Sequence, residues 1–199
     1  MPGRVNLLFN KSSKDRNMPR IPLKTGKSDV PAEYHHLVDG VMEVFGAVRG
    51  PFGVMLHSPG MAELLLPMVP FVREKSVVDD LLRMLGVLAM VRERQAKYVW
   101  GAQVGYARRV HVPEPLIDLI RSQGDTSGLP DDQRDVIDYA RQLARTNRCD
   151  QAIFDRLHAA HGTQWMVEMT GSMNFYGFLC GMTNAFDVLV TEGLDRLPE

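Results

Sequence analysis

From Pro31 onward, apolar residues return every three or four positions almost without interruption, which is the spacing of one buried face of an α-helix. Leu37, Val41, Val44, Phe45 and Val48 predict a first helix, with Pro31, Ala32 and Glu33 suited to its opening turn. Gly46, Gly50, Pro51 and Gly53 then predict a loop. Ser58 before Pro59 reads as an N-cap followed by proline at the first helical position. The helix it opens carries Met61, Leu64, Leu65 and Met68 and should end or kink near Pro67 and Pro70. Ser76 and Asp79 resemble a capping box that opens a helix from Val77 to about Arg94. The middle of that helix, Met84 to Val91, is apolar on every side, as expected at the centre of a bundle.

Downstream, residues 95–109 predict another helix, and Pro113 and Pro115 start a short one that runs through Ile120. The segment 122–130 (SQGDTSGLP) is a turn-rich linker. Helices follow over Asp131–Asn147 and Gln151–His161, the second closed by Gly162 as a C′ residue, and Thr163 is placed to cap a last helix over 164–186. No segment alternates with a period of two, so the predicted fold class is an all-α bundle. The last helix is apolar enough to need a membrane check. Glu168, Asn174 and Asn184 interrupt it, leaving no continuous apolar stretch of membrane-spanning length, so no membrane association is expected. Gly171, Gly177, Gly181 and Ala185 would let another helix approach closely, and Asn174 and Asn184 are expected as buried amides at an interface.

Composition narrows this picture without naming a chemistry. The 199 residues, 45% of them hydrophobic, suit one domain that buries its own core without a metal or disulfide staple. Two cysteines, Cys149 and Cys180, with no CxxC between them, exclude a disulfide framework and fit a reducing, cytoplasmic setting. A net charge of −1 gives no ground for a nucleic-acid partner. Residues 1–18 stand apart: Arg4, Lys11, Lys14 and Arg16 against Asp15 make them basic, and they are expected to be a flexible N-terminal extension or tag, or an arm against a neighbouring subunit. The helical domain is placed at 19–199.

Within that domain, the segment from Ala96 to Gln103 carries the densest candidate chemistry. Tyr98, Ala102 and Tyr106 share one helix face at i, i+4, i+8, and Val99 and Gln103 lie on the adjacent stripe. Such a face can line a pocket with hydroxyl, indole and amide donors, or simply pack Tyr98 and Trp100 with their polar tips satisfied. Glu168, Ser172 and Tyr176 form a second aligned set on the last helix, where a carboxylate on an apolar face needs a partner such as an arginine, or a shifted pKa. His158 and His161 have metal-ligand spacing but no third ligand nearby, so no metal site is expected. The cations Arg92, Arg94, Lys97, Arg108 and Arg109 bracket the pocket segment, and one of them could hold a substrate carboxylate.

The stretch LLRMLGVLAMVRERQAKYVWGAQVGYARRVHVPEPLIDLIRS (81–122) resembles the core helical hairpin of the carboxymuconolactone decarboxylase and alkylhydroperoxidase-D-like superfamily. GPFGVMLHSPGMAELL (50–65), LPDDQRDVIDYARQLARTN (129–147) and MVEMTGSMNFYGFLCGMTNAFDV (166–188) resemble its flanking elements. The resemblance covers roughly 31–190 and implies an alkylhydroperoxidase-D-like bundle assembled as a homotrimer or homohexamer. Carried across residue by residue, the family's two cysteines fall on Ala96 and Val99, its histidine on Gln103, and the glutamate of the preceding helix on Met84. Alanine and valine can neither attack a peroxide nor resolve the product, which excludes thiol peroxidase chemistry.

What the resemblance then implies is an enzyme acting without cofactor by acid–base chemistry, of lyase, isomerase or cyclase type. Its substrate would be a small unsaturated or cyclic organic acid or ketone. His57, on the loop the family folds over its pocket, joins Tyr98, Gln103 and Glu168 as candidate catalytic groups, with Met84, Val99, Trp100 and Tyr176 as candidate substrate contacts. The alternatives are a relative that binds or scaffolds without catalysis, motivated by the loss of all four family positions, and an unmodified carboxymuconolactone decarboxylase.

Overall fold

The stretch that is apolar all round becomes the central helix. In the computed structural model, which describes residues 18–198, Asp80–Glu93 form one helix, and its residues from Leu82 to Val91 are all buried. In chain order the helices are α1 His35–Phe45, α2 Gly50–Met55, α3 Pro59–Leu65, α4 Met68–Pro70, α5 Asp80–Glu93, α6 Lys97–Arg109, α7 Glu114–Arg121, α8 Asp131–Thr146 and α9 Gln151–Ala185. No strand occurs among the described residues. The central α5 packs against α6, α7, α8 and α9. A helix with no solvent face must be covered on all sides, and these four helices supply the cover. No helix among the described residues is long and apolar enough to cross a membrane. The expected N-terminal extension, residues 1–18, lies outside the described residues except for its last residue, Met18, which is exposed.

Several local predictions shift by a turn, each for a physical reason. The opening turn at Pro31 is 3-10, and α1 itself starts at His35 and ends on Gly46 at φ 71. The predicted loop over 46–53 instead contains α2 from Gly50: Pro51 presets a helical φ at the start, and Phe52, Val54 and Met55 gain burial by turning inward. Ser58 precedes α3 as expected but makes no side-chain capping bond. The prolines Pro67 and Pro70 do break the run, giving the single turn α4 and a π-turn over Phe71–Lys75. Helix α5 opens at Asp80 rather than Val77, because the Asp79 carboxylate accepts the Leu82 N–H at 2.9 Å and caps the helix there. Gly162, at φ 81 and ψ 175, breaks α9 into two lengths, and the Thr163 hydroxyl bonds back to His158. Asn174 and Asn184 lie exposed on the chain, bonded to the carbonyls of Thr170 and Arg94.

Two straps close the bundle. Near the N-terminal end, Arg20 N–H donates to the Phe186 carbonyl and Lys24 N–H to that of Gly53. After α9 the chain runs back over α6, where Asp195 accepts the Trp100 indole N–H at 2.9 Å and pairs with Arg108 and Arg121. The contact is tight: a Cβ added to Gly101 would sit 2.8 Å from the Asp195 carbonyl oxygen.

The outer helices are joined by a second polar anchor. Asp135 of α8 is almost fully buried and receives two bonds from Arg156 of α9, at 2.6 and 2.8 Å. Those bonds hold its carboxyl below the ordinary value of 3.8. A carboxylate whose pKa is lower folded than unfolded adds stability above the unfolded value, and that contribution drains away as pH falls through the folded one. Asp135→Asn should therefore lose about 1–3 kcal/mol in urea denaturation at pH 7. The loss relative to wild type should shrink below pH 4. An equal loss at pH 7 and pH 3 would contradict the ion-pair origin.

Candidate functional site

Helix α6 turns two adjacent stripes toward a cavity of about 530 Å³. Tyr98, Val99, Ala102 and Gln103 form its floor because they fall at i, i+1, i+4 and i+5. Tyr176 and Leu179 of α9 make one wall, Phe45 and Phe52 from the α1–α2 region another, and Leu194 of the C-terminal strap a third. The two phenylalanine rings brace each other at 5.2 Å between centroids.

Tyr98 is held by the backbone beneath it. Gly50 adopts φ +61, and a Cβ there would fall 2.2 Å from the Tyr98 ring, so only glycine permits this approach. Burial raises the pKa of the Tyr98 hydroxyl above the usual 10, opposed by the charge of Arg49 and by the Thr191 hydroxyl. The phenol is therefore neutral at physiological pH and offers a proton rather than taking one. Gln103 is 4% exposed, and its Oε1 is shielded with no hydrogen-bond partner.

The charge in the lining is all of one sign. Arg49, Arg73 and Arg109 reach the cavity, and its lining includes no aspartate, glutamate, histidine or cysteine among the described residues. The Arg73 guanidinium lies 4.5 Å over the Tyr106 ring and 5.2 Å over Phe45, while Arg109 lies 5.2 Å over Tyr106. Aromatic faces attract these cations without neutralising them. Among the described residues none of the three arginines forms an ion pair, unlike Arg108, Arg121 and Arg156 elsewhere on the surface. Three uncompensated cations around a concave, partly apolar space focus a positive potential into it.

The structure brings together four of the residues expected at the site: Tyr98, Val99, Gln103 and Tyr176. It places the other four elsewhere. Trp100 is fully buried on the far side of α6, its indole bonded to Asp195. His57 is exposed beyond the end of α2, with Nε2 2.8 Å from the Pro22 carbonyl oxygen, because α2 carries it away from the lining. Met84 is packed within α5 as part of the core. Glu168 finds neither an arginine nor the cavity: it accepts the Val77 N–H at 2.8 Å and the Gln164 amide at 2.9 Å. Those bonds, led by Gln164, lower its pKa and fix the turn into α5.

Of the basic cluster bracketing α6, Arg109 lines the cavity; Arg92 donates to the Arg121 carbonyl and Arg108 pairs with Glu114 and Asp195. Arg49 and Arg73 were not among the candidates. They arrive from a loop and a π-turn distant in sequence, where no periodicity marks them. Among the described residues no cluster of three histidine, cysteine or acidic side chains could hold a metal. His158 stacks on Phe154 and His161 on Trp165 instead.

No protein-family profile matches the chain, and no curated protein matches it. Solved structures do. The debrominase Bmp8 aligns over 86% of this chain and 92% of its own, with a TM-score of 0.71 and 15% identity. A cysteine-to-alanine variant of that debrominase, in complex with 2,3,4-tribromopyrrole, aligns equally well at 16% identity. An uncharacterized peroxidase-related protein from Ralstonia eutropha JMP134, described as an alkylhydroperoxidase AhpD core, aligns over 87% of this chain and 93% of its own, with a TM-score of 0.68 and 18% identity. In this chain both thiols lie outside the cavity lining. Cys180 is buried, which pushes its thiol up to about 12, and burial also raises the Cys149 thiol. In a Cys149→Ser variant at neutral pH, a thiol reagent should find nothing to label until the chain is unfolded; rapid labelling of Cys180 would contradict its burial. By its architecture, the chain has the alkylhydroperoxidase-D-like fold.

Proposed function

We propose that the cavity binds a small organic acid, with its negative charge held by Arg49, Arg73 and Arg109, and that Tyr98 serves as a proton donor to it. The observation that carries this reading is the set of three arginines that make no ion pair among the described residues, in a lining whose described residues include no acidic group. Bonds from arginine to a carboxylate are charge-assisted and strengthened where water is excluded. The apolar remainder of the lining suits an unsaturated or cyclic carbon skeleton, the substrate class that the superfamily resemblance implies.

Among lyase, isomerase and cyclase chemistry, the lining favours a lyase. It offers donors and cations but no group that takes up a proton near neutral pH. A step that starts by abstracting a proton lacks its base; a step in which bond cleavage itself releases the electron pair does not. Loss of carbon dioxide fits. The bond to the carboxylate breaks, and the electron pair delocalises onto an adjacent carbonyl oxygen held by an arginine. Tyr98 then protonates the carbon, and the phenolate recovers its proton from water. Debromination is named for one structural neighbour and is not carried over to this chain, since Ala96 and Val99 stand where the resemblance puts the superfamily's thiols. The absence of a base also favours the second reading, a non-catalytic binder of the same acids.

Calorimetry with a panel of unsaturated and aromatic carboxylates tests the binding. Arg109→Gln and Arg49→Gln should each weaken the best ligand about tenfold or more, and matched methyl esters should bind poorly to wild type. Esters that bind as tightly as acids would overturn the assignment. Tyr98→Phe should keep binding within about threefold while lowering carbon dioxide release from 3-oxo acids at least a hundredfold. Turnover unchanged in Tyr98→Phe removes Tyr98 from the mechanism. Ligand recovered unchanged from wild type selects the binding role.

A further inference from the structure

The lining of the cavity is sorted by depth. Gly46, Arg49, Gly105 and Arg109 are exposed and mark its mouth, between the α1–α2 turn and the C-terminal part of α6. Phe52, Val99, Tyr176 and Leu179 are only 1–4% exposed and mark its inner end. Arg73 is half-buried, and its guanidinium shares the Tyr106 ring with that of Arg109, which ties it to the mouth. All the formal charge of the lining therefore gathers at one end. The polar side chains among its buried residues are Tyr98, Gln103 and Tyr176, and none of these can balance the charge of a carboxylate.

We infer that the ligand of this cavity is an amphipathic monoacid that enters apolar end first, leaving its one carboxylate at the mouth among the arginines and extending an uncharged carbon body to Val99 and Leu179. This rests on the reading of the cavity as an organic-acid site, and it adds the ligand's orientation, its charge count and its length. A second carboxylate at the far end would be buried against aliphatic and aromatic side chains without a counter-ion, which is costly. A compact acid would leave the inner end unfilled. The volume of about 530 Å³ instead lies within the range of cavities that enclose drug-sized ligands. The orientation also suits the chemistry proposed above. Tyr98 is near enough to Arg49 for that charge to bear on its hydroxyl, so a carboxylate at the mouth has its adjoining carbons beside the phenol.

Calorimetry on trans-2-alkenoates of six, eight and ten carbons, their methyl esters and the 2-alkenedioates of matching length tests this. Wild-type affinity for the monoacids should rise about three- to fourfold per added methylene. Each eight- or ten-carbon monoacid should outbind its diacid about tenfold or more. Val99→Phe and Leu179→Phe fill the inner end from two different helices. Each should abolish the gain at ten carbons while leaving the six-carbon acid within about threefold of wild type. Arg49→Gln should weaken every monoacid by the same factor, because the head contact does not depend on the tail. Affinity that stays flat with chain length, or diacids that match the monoacids, overturns the orientation even where esters bind poorly and the arginine reading holds. A loss in Arg49→Gln that grows with chain length overturns it as well. Esters that bind as tightly as their acids overturn the arginine reading and, with it, the carboxylate at the mouth. Should a phenylalanine variant fail to fold, the wild-type series decides alone.

Discussion

Burial of α5 on all sides is the constraint from which the rest of the structure follows. Ten consecutive buried residues, Leu82 to Val91, leave that helix no face to give to solvent, so α6, α7, α8 and α9 must surround it. Polar groups along it are disposed of at its ends or locally. The Asp79 carboxylate caps the first turn, Arg83 turns back to the Val78 carbonyl and Asp80, and Glu93 at the last residue accepts Arg145 and Gln123. Even Glu168, the one carboxylate on the apolar length of α9, is spent on the Val77 N–H and so on fixing where α5 begins. Because α6 packs on α5 with one side and under the C-terminal strap with another, its remaining stripes are the ones free to face a cavity.

That division of α6 explains why neighbouring residues have unrelated roles. Trp100 and Tyr98 are two positions apart, hence on different faces of the helix. Trp100 is tied to Asp195 in a cluster with Arg108 and Arg121, a contact that anchors the strap. Tyr98 is pressed against Gly50 and faces the cavity. The strap links the two roles, since Thr191 meets the Tyr98 hydroxyl and Leu194 forms part of the cavity wall.

The electrostatics of the cavity are set less by what α6 carries than by what surrounds it. With Ala96, Val99 and Gln103 at the positions where the resemblance places thiols and a histidine, α6 contributes a neutral phenol and an amide. The charge comes from Arg49, Arg73 and Arg109, two of them resting on the single ring of Tyr106. An aromatic face holds a guanidinium in place without cancelling it, and therefore preserves a positive field where a carboxylate partner would extinguish it.

The helices were legible from the chain because helix formation and burial leave a local record. The 3.6-residue period marks α1 and α5 to α9, prolines 67 and 70 mark the break after α3, and Gly162 marks the interruption of α9. The same period put Tyr98, Val99 and Gln103 on adjacent stripes of α6. It does not say which stripe meets the core and which meets open space, so by sequence Trp100 falls in one candidate set with Tyr98 and Glu168 in one with Tyr176. Which arginines gather around the cavity was likewise beyond it. Arg49 and Arg73 come from irregular segments about 25 to 50 residues upstream of α6, and a side chain's distance from a distant helix is a property of packing alone. Sequence by itself determined the all-helical bundle and the absence of thiols from the positions that resemble a redox site, because both depend on residue identity and short-range spacing. Tertiary structure alone decided that the space beside Tyr98 and Gln103 is cationic and, among the described residues, lined by no acidic group or histidine, because those properties arise only where segments far apart in the chain converge.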